Sequence, residues 1–358
     1  MLSSCNFIKP WLNEERNNIL ITSVGRRSYM VQYFKEALGN SGEVHVSNSS
    51  TTTPAFRLAD KAVKSPLIYD KDYIPFLLNY CKENQIGALL PLFDIDIPVL
   101  ASAKNLFLEI GCFPIVPDPD IAQICNDKLL SCEFINSIHL KAPRTFTSLK
   151  ECLSAIELGD ISFPITVKPR WGMGSIGIFF ANNKDELLAA SIIIKAQICS
   201  TYLRFESSRE IEASILYQES LSGQEYGLDI YNDLSGNLKG LSLREKVSMR
   251  SGETDCAKIV MPNEEVINIA TIISENTHHP GNMDLDLFKT DNGYYILEMN
   301  PRFGGGYPFS HAAGANLPLA LVSWLQNKEP DKQLLTATIL NTFHKDISIV
   351  EINSQEEE

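Results

Sequence analysis

The chain has 358 residues, 44% of them hydrophobic and 21% charged, with a formal net charge of −13. This is globular rather than disordered composition, long enough for two or three domains or one large subdivided enzyme. The acidic balance argues against nonspecific binding to nucleic acid or anionic membranes, and no run of ~20 apolar residues signals a membrane span.

In chain order, residues 1–17 read as an N-terminal extension without the apolar run of a signal peptide. Residues 18–24 form a short apolar strand, followed by the turn Gly25, Arg26, Arg27, Ser28 and a helical pattern at Tyr29, Val31, Phe34 and Leu38. Strands are expected at residues 43–48, 88–92 and 113–116, with helices at 73–83 and 97–108. Strand and helix alternating at this spacing predict a parallel, doubly wound α/β domain over residues 18–120. Ligands of such sheets bind at the carboxyl ends of the strands, where the Gly25–Arg27 turn and Asp94, Ile95 and Asp96 fall. Arg26 and Arg27 either hold a substrate carboxylate or phosphate or belong to a solvated turn. No G-x-G-x-x-G follows the first strand, so a dinucleotide site is not indicated.

The character changes after residue 120. Residues 120–138 read as one helix with Lys128 in its middle. Strands follow at 163–169, 178–180, 215–219, 225–231 and 238–246, with helices at 184–194 and 264–276. Residues 283–289 and 294–300 form a hairpin, 317–326 a final helix, and 329–358 a tail element with a solvated acidic end.

The hairpin carries the clearest chemistry. Asp286 and Glu298 are equidistant from residue 292, so they face each other across the turn, and Asn300 shares the face of Glu298. Two carboxylates and an amide oxygen make a hard site of the kind magnesium takes, with phosphate oxygens completing its shell. The competing reading is two acids on a solvated face. Against it, Tyr295, Ile296, Leu297 and Met299 make the strand apolar almost throughout. Second, Gly172, Gly174, Ser175 and Gly177 lie in a glycine-rich loop between two strands, just after Lys168. Such a loop brings backbone N–H groups to an anion, and without a following helix it is not a P-loop; an ordinary flexible turn is the alternative. Third, in the segment 218–225 a strand end leaves backbone groups that an adenine could use, with Glu225 within reach of ribose hydroxyls, but taken by itself the segment reads as an ordinary strand end.

Taken in order, Asp127-Lys128, Val167-Lys168-Pro169 with its glycine loop, Gln218-Glu219-Ser220-Leu221 with Glu225, and Asp286 with Glu298-Met299-Asn300-Pro301-Arg302 resemble the ATP-grasp superfamily. The resemblance covers residues 121–328, with a lid lobe at about 143–217, and makes residues 18–120 a pre-ATP-grasp domain. It implies that Lys128 and Lys168 hold ATP phosphates under the closing loop. Glu219 and Leu221 would offer backbone groups to adenine, and Glu225 would take the ribose. It further implies magnesium or manganese, as two ions, on Asp286, Glu298 and Asn300. Arg302 would stabilise the reaction intermediate, and Lys246 or Arg250 would reach the γ-phosphate or a substrate carboxylate.

Within the superfamily the chain is similar to stand-alone proteins like half of a carbamoyl-phosphate synthase large subunit, and to amino-acid ligases. The implied reaction is two-step: a carboxylate takes the γ-phosphate of ATP, and an amine then displaces phosphate to form an amide. A single ATP-grasp unit argues against a complete carbamoyl-phosphate synthase, and the Phe303–Pro308 stretch (residues 303–308) departs from the biotin carboxylase pattern, which disfavours bicarbonate. Three hypotheses therefore stand: a carboxylate–amine ligase, a kinase or carboxylase of bicarbonate or another small acid, and a silent nucleotide-binding regulator. The expected partners are a small carboxylate and a small amine, with no nucleic acid and no membrane, and a homodimer fits the resemblance. The glycines after Arg302 and His311 shape the acceptor pocket on this reading, although His311 is equally suited to a packed helix. The eight cysteines are scattered without a C-x-x-C pair, which predicts reduced thiols and a cytoplasmic setting.

Overall fold

The computed structural model describes residues 16–172, 177–208 and 210–351. The first strand, Asn18–Thr22, is buried on both faces: Ile19 and Ile21 enter one core with the helix Ser28–Leu38, and Leu20 enters another with the helix Tyr73–Glu83. That two-sided burial is why its sequence is an unbroken apolar run. It pairs in parallel with Val44–Asn48 on one side and Ile86–Pro91 on the other. Lys61–Lys64 and Phe113–Pro114 complete a five-stranded, wholly parallel sheet as its two edges. The strand order reverses between Asn18–Thr22 and Ile86–Pro91, so a crevice opens at their carboxyl ends.

The second sheet has four strands, in the order Thr145–Phe146, Ile215–Glu219, Ile165–Pro169, Phe179–Ala181. The helices Leu149–Glu157 and Lys184–Ser200 bury Cys152, Leu187, Ile194 and Ile198 against it. The third sheet is antiparallel and six-stranded, in the order Gly293–Asn300, Gly281–Thr290, Gln224–Asn232, Leu238–Arg250, Glu253–Val260, Thr342–His344. The expected parallel α/β domain followed by a two-lobed α+β part is the architecture observed, and both sheets of the second part are antiparallel.

Several elements differ from expectation. The helix expected at 120–138 is two helices, Pro119–Asn126 and Lys128–Ser137. Asp127 leaves the helical region (φ −112°, ψ 109°), and its carboxylate caps the second helix by accepting from the N–H groups of Leu129 and Leu130. Lys128 therefore stands in a first turn, not at mid-helix. The helix expected at 97–108 likewise breaks at Ala103 into Asp96–Ser102 and Lys104–Glu109.

The elements not foreseen include Lys61–Lys64, Leu149–Glu157, Glu253–Val260 and Tyr307–Ala312. Glu253–Val260 hid because Thr254 and Asp255, both polar, are buried beside apolar Cys256 and Ala257, which erases the alternation. The tail is structural: Thr342–His344 pairs with Cys256–Lys258 at the sheet edge, and Leu335 and Ala337 enter the core.

Among the described residues no helix is long and apolar enough to cross a membrane. Seven described cysteines are free thiols, and Cys199 is the exposed one among them; Cys5 lies outside the described residues.

Candidate active site

The second and third sheets face each other across a cleft whose far end meets the crevice of the first. The hairpin forms one wall. Asp286 pairs directly with Glu298, and Asp284 with Asn300, as the expected register required. The turn itself is centred half a residue earlier than expected, since Thr290 pairs with Gly293 and Leu287 with Ile296. A bulge at Leu297 absorbs the extra residue, so the acids still meet.

Cations enter both from the opposing elements and from another strand of the hairpin's own sheet. Lys128 Nζ lies 3.0 Å from Glu298 Oε1 and donates to the carbonyl of Gly172. Lys168, on Ile165–Pro169, is buried and donates to Gln218 Oε1 at 2.9 Å. Burial, then the neighbouring Lys128 charge, pushes its pKa down. Alternation along Leu238–Arg250 puts Arg244 and Lys246 on one face. Lys246 Nζ bridges Glu225 at 2.5 Å and Asp286 at 2.7 Å. Burial alone would lower its pKa, but the two carboxylates outweigh it and hold it up.

Arg302 binds Asp94 through two bonds, Nε to Oδ1 at 2.6 Å and Nη2 to Oδ2 at 3.0 Å, and reaches Asp284 at 3.2 Å. This joins the hairpin to the carboxyl end of the first sheet. Arg27 does the same through backbone, its Nη1 donating to the carbonyls of Leu92 and Phe303, both at 2.8 Å.

Sequence reasoning did not single out Arg244 and Asp284. Arg244 is almost fully buried between Asp229, 2.5 Å away, and Asp284. Burial pushes Asp284 up, yet Arg244 and Arg302 outweigh it and hold its carboxyl below the usual range. The signal was available, because Asp284 is two residues before Asp286 on the same face, as Arg244 is before Lys246. Room for this network explains the glycines after Arg302. A Cβ at Gly304 would sit 2.0 Å from Asp284 Oδ2, and one at Gly306 would sit 2.2 Å from Arg244 Nε.

The structure brings Lys128, Lys168, Gly172, Lys246, Asp286, Glu298, Asn300 and Arg302 to one cleft. Glu225 joins them through Lys246. Glu219 and Leu221 lie outside the cleft lining, and the N–H of Glu219 is already given to the carbonyl of Arg144 at 3.0 Å. Arg250 is not brought in: it is half exposed, paired with Asp255 at 2.7 Å. Gly174 and Ser175 lie outside the described residues; Gly177 borders the loop with φ 73°. At Gly172 φ is 122°, and a Cβ would sit 2.5 Å from Leu203. Arg26 is exposed. His311 stacks on Tyr33 with ring centroids 3.6 Å apart, and burial pushes its pKa down to about 4, as suits a packed helix residue.

Two opposed carboxylates and the Asn300 amide form an all-oxygen donor set that could hold a hard divalent ion. Among the described residues no group of three or more His, Cys, Asp or Glu side chains is placed to hold a metal ion by itself. The remaining donors would therefore come from phosphate or water.

Comparison with known proteins follows this geometry. Residues 19–115 match the family model of the PylC-like N-terminal domain, and residues 212–346 match that of the ATP-grasp in the biosynthetic pathway with Ter operon. The carbamoyl phosphate synthase large chain of Gemmatimonas aurantiaca is 24% identical over 274 residues, 72% of this chain and 23% of that one. That of Methanosphaerula palustris is 23% identical over 317 residues, covering 82% and 28%. The chain thus spans about a quarter of the length of these relatives.

Among solved structures, N5-carboxyaminoimidazole synthetase from Staphylococcus aureus superposes with a TM-score of 0.67 at 16% identity, covering 91% of this chain and 80% of that one. L-amino acid ligase from Bacillus licheniformis gives 0.64 at 17%, covering 87% and 74%. At such identities these structures speak for the fold alone. With the two family models in sequence along one chain, and the fold that accompanies them, the protein resembles the ATP-grasp ligases.

Proposed function

We propose that this chain is an ATP- and magnesium-dependent carboxylate–amine ligase that forms an amide through an acyl phosphate. The observation that carries the reading is the convergence of Lys128, Lys168, Lys246 and Arg302 on one cleft with Asp286, Glu298 and Asn300. A carboxylate attacking a polyanionic nucleotide needs its charge neutralised before it needs a protein nucleophile.

Lys128 and Lys168 are suited to the phosphates of ATP, and Lys246 to the oxygens of the phosphoryl group in transit. Asp286, Glu298 and Asn300 would hold magnesium, as one or two ions, which would withdraw charge from the phosphate oxygens. Lys128 and Lys246 rest on Glu298 and Asp286, and nucleotide and ion would exchange these pairs for stronger ones. Arg302, held by two acids and the carbonyl of Phe303, keeps one Nη2 N–H for the oxygen that becomes negative when an amine adds to the acyl carbon. Trp171 and the loop at Gly172 line the cleft where water must be kept from the intermediate. Glu219 and Leu221 remain the proposed backbone contacts of adenine, with Glu225 for the ribose.

The resemblance to carbamoyl phosphate synthase large chains supports a second reading, phosphorylation of a small acid such as bicarbonate without amide formation. Substrate acid labelled with 18O in its carboxylate separates the outcomes. Amide ligation through an acyl phosphate transfers one labelled oxygen to the released phosphate, in equal amount with the amide. Unlabelled phosphate, or labelled phosphate without amide, rejects the first reading.

A further inference from the structure

Two charged side chains of the cleft lining, Arg27 and Glu253, are not spent on close ion pairs. The Nη1 of Arg27 is held by two carbonyl oxygens at 2.8 Å. Among the described residues it has no carboxylate partner, and its Nε and Nη2 have no protein acceptor. The carbonyl pair fixes the guanidinium plane without neutralising it, which is a preorganised fork for a carboxylate.

Glu253 lines the same cleft, at the start of Glu253–Val260, with its side chain packed over Gly305. Its cation partner is Lys345 from the tail, at 3.4 Å. That is longer than the ~2.7–2.9 Å of a charge-assisted hydrogen bond. The Glu253 side chain lines the cleft and is 50% exposed, so it remains accessible to a further partner. The Thr254 hydroxyl lines the cleft beside it. Tyr29 feels the charges of Arg27 and Glu253 together with those of Arg302 and Asp284, so these groups share one locality next to the proposed reaction centre.

A fixed guanidinium without an acid and a carboxylate with a loose partner complement a molecule carrying both charges. A simple acid would satisfy Arg27 and be repelled by Glu253. A simple amine would do the reverse. We infer that this part of the cleft is a subsite for a free α-amino acid, with Arg27 taking its carboxylate and Glu253 its ammonium. The inference names one substrate of the ligase proposed above and rests on that reading.

Binding rather than turnover tests it, because masking either group also blocks chemistry. The whole chain, with magnesium and ADP present, is screened by thermal shift against the twenty standard amino acids. The strongest hit is then measured by calorimetry as the free amino acid, its carboxamide and its N-acetyl derivative. The subsite predicts that each masked form binds about tenfold or more weakly, the effect of one lost charged hydrogen-bond partner. Glu253→Gln should shrink the penalty for N-acetylation, and Arg27→Lys the penalty for the carboxamide, while ADP affinity holds in both. Glu253 is half exposed, so its variant keeps the fold, and ratios between derivatives are insensitive to any loss of stability in the Arg27 variant. Free and masked forms binding alike, or penalties unchanged by the variants, overturn the subsite. So does a chain that binds magnesium ADP but no amino acid. Failure to bind magnesium ADP overturns the ligase reading as well.

Discussion

The guanidinium of Arg244 lies between the carboxylates of Asp229 and Asp284, with Gly227 and Gly306 closing over it. A buried ion cluster of this kind tolerates no displacement, because a charge deprived of its partner cannot recover its solvation. Gly306→Ala should therefore cost about 1–3 kcal/mol, the range for overpacking a filled interior, read as a lower urea midpoint. An unchanged midpoint would mean that the glycine is not needed for clearance.

A second residue sets an acid limit. His279 is fully buried, and burial pushes its pKa from 6.5 down to about 3. Below pH 6.5 the unfolded chain binds a proton that the folded chain refuses. Stability is thus complete above that pH and falls as pH drops toward 3, by up to about 1.4 kcal/mol per unit. His311, lowered to about 4, adds in the same direction. Urea unfolding at pH 7 and pH 5 should show a smaller difference for His279→Gln than for the parent; equal differences would refute the assignment.

At the scale of elements, the break at Asp127 matters most. Its carboxylate caps Lys128–Ser137 and also binds Arg170 Nε at 2.8 Å, so one side chain sets both the helix start and the strand end next to Lys168. Asp127→Ala removes cap and partner together. A loss of about 2–4 kcal/mol is expected, with a raised KM for ATP, and Asp127→Asn, which keeps a cap, should fall between. An unaltered KM would detach Lys128 from the nucleotide.

The sequence reading ran this region as one helix because its apolar spacing continues through Ile124, Cys125 and Ile135 while the single aspartate carries no visible break. The hairpin was more legible. Alternation and a Asn-Gly turn brought Asp286 opposite Glu298, although only a bulge made the pairing true. What stayed hidden were contacts between distant elements, such as Arg302 with Asp94, since nothing local marks either residue as half of a pair. Arg250 looked like a cleft cation by proximity to Lys246, but irregular pairing near Ser248 and the reach of Asp255 take it elsewhere.

At the scale of the molecule, Arg302–Asp94 and the Arg27 bonds to Leu92 and Phe303 tie the switch point of the parallel sheet to the end of the hairpin. The site is thus assembled between units, and the proposed function predicts that turnover requires the N-terminal sheet as well as the other two. Asp94→Ala leaves Arg302 with Asp284 alone and should cost about 3 kcal/mol, with a larger fall in turnover than in ADP affinity. Equal falls would place Asp94 at the nucleotide instead.

The most direct test of the central claim is phosphate release from ATP and magnesium, with carboxylic acids and amines supplied singly and in pairs, to the parent chain and to Glu298→Gln. The account predicts release that requires an acid and an amine together, with amide formed in equal amount, and a fall of about a hundredfold or more in the variant. Release indifferent to acid and amine, or equal in the two proteins, would contradict it.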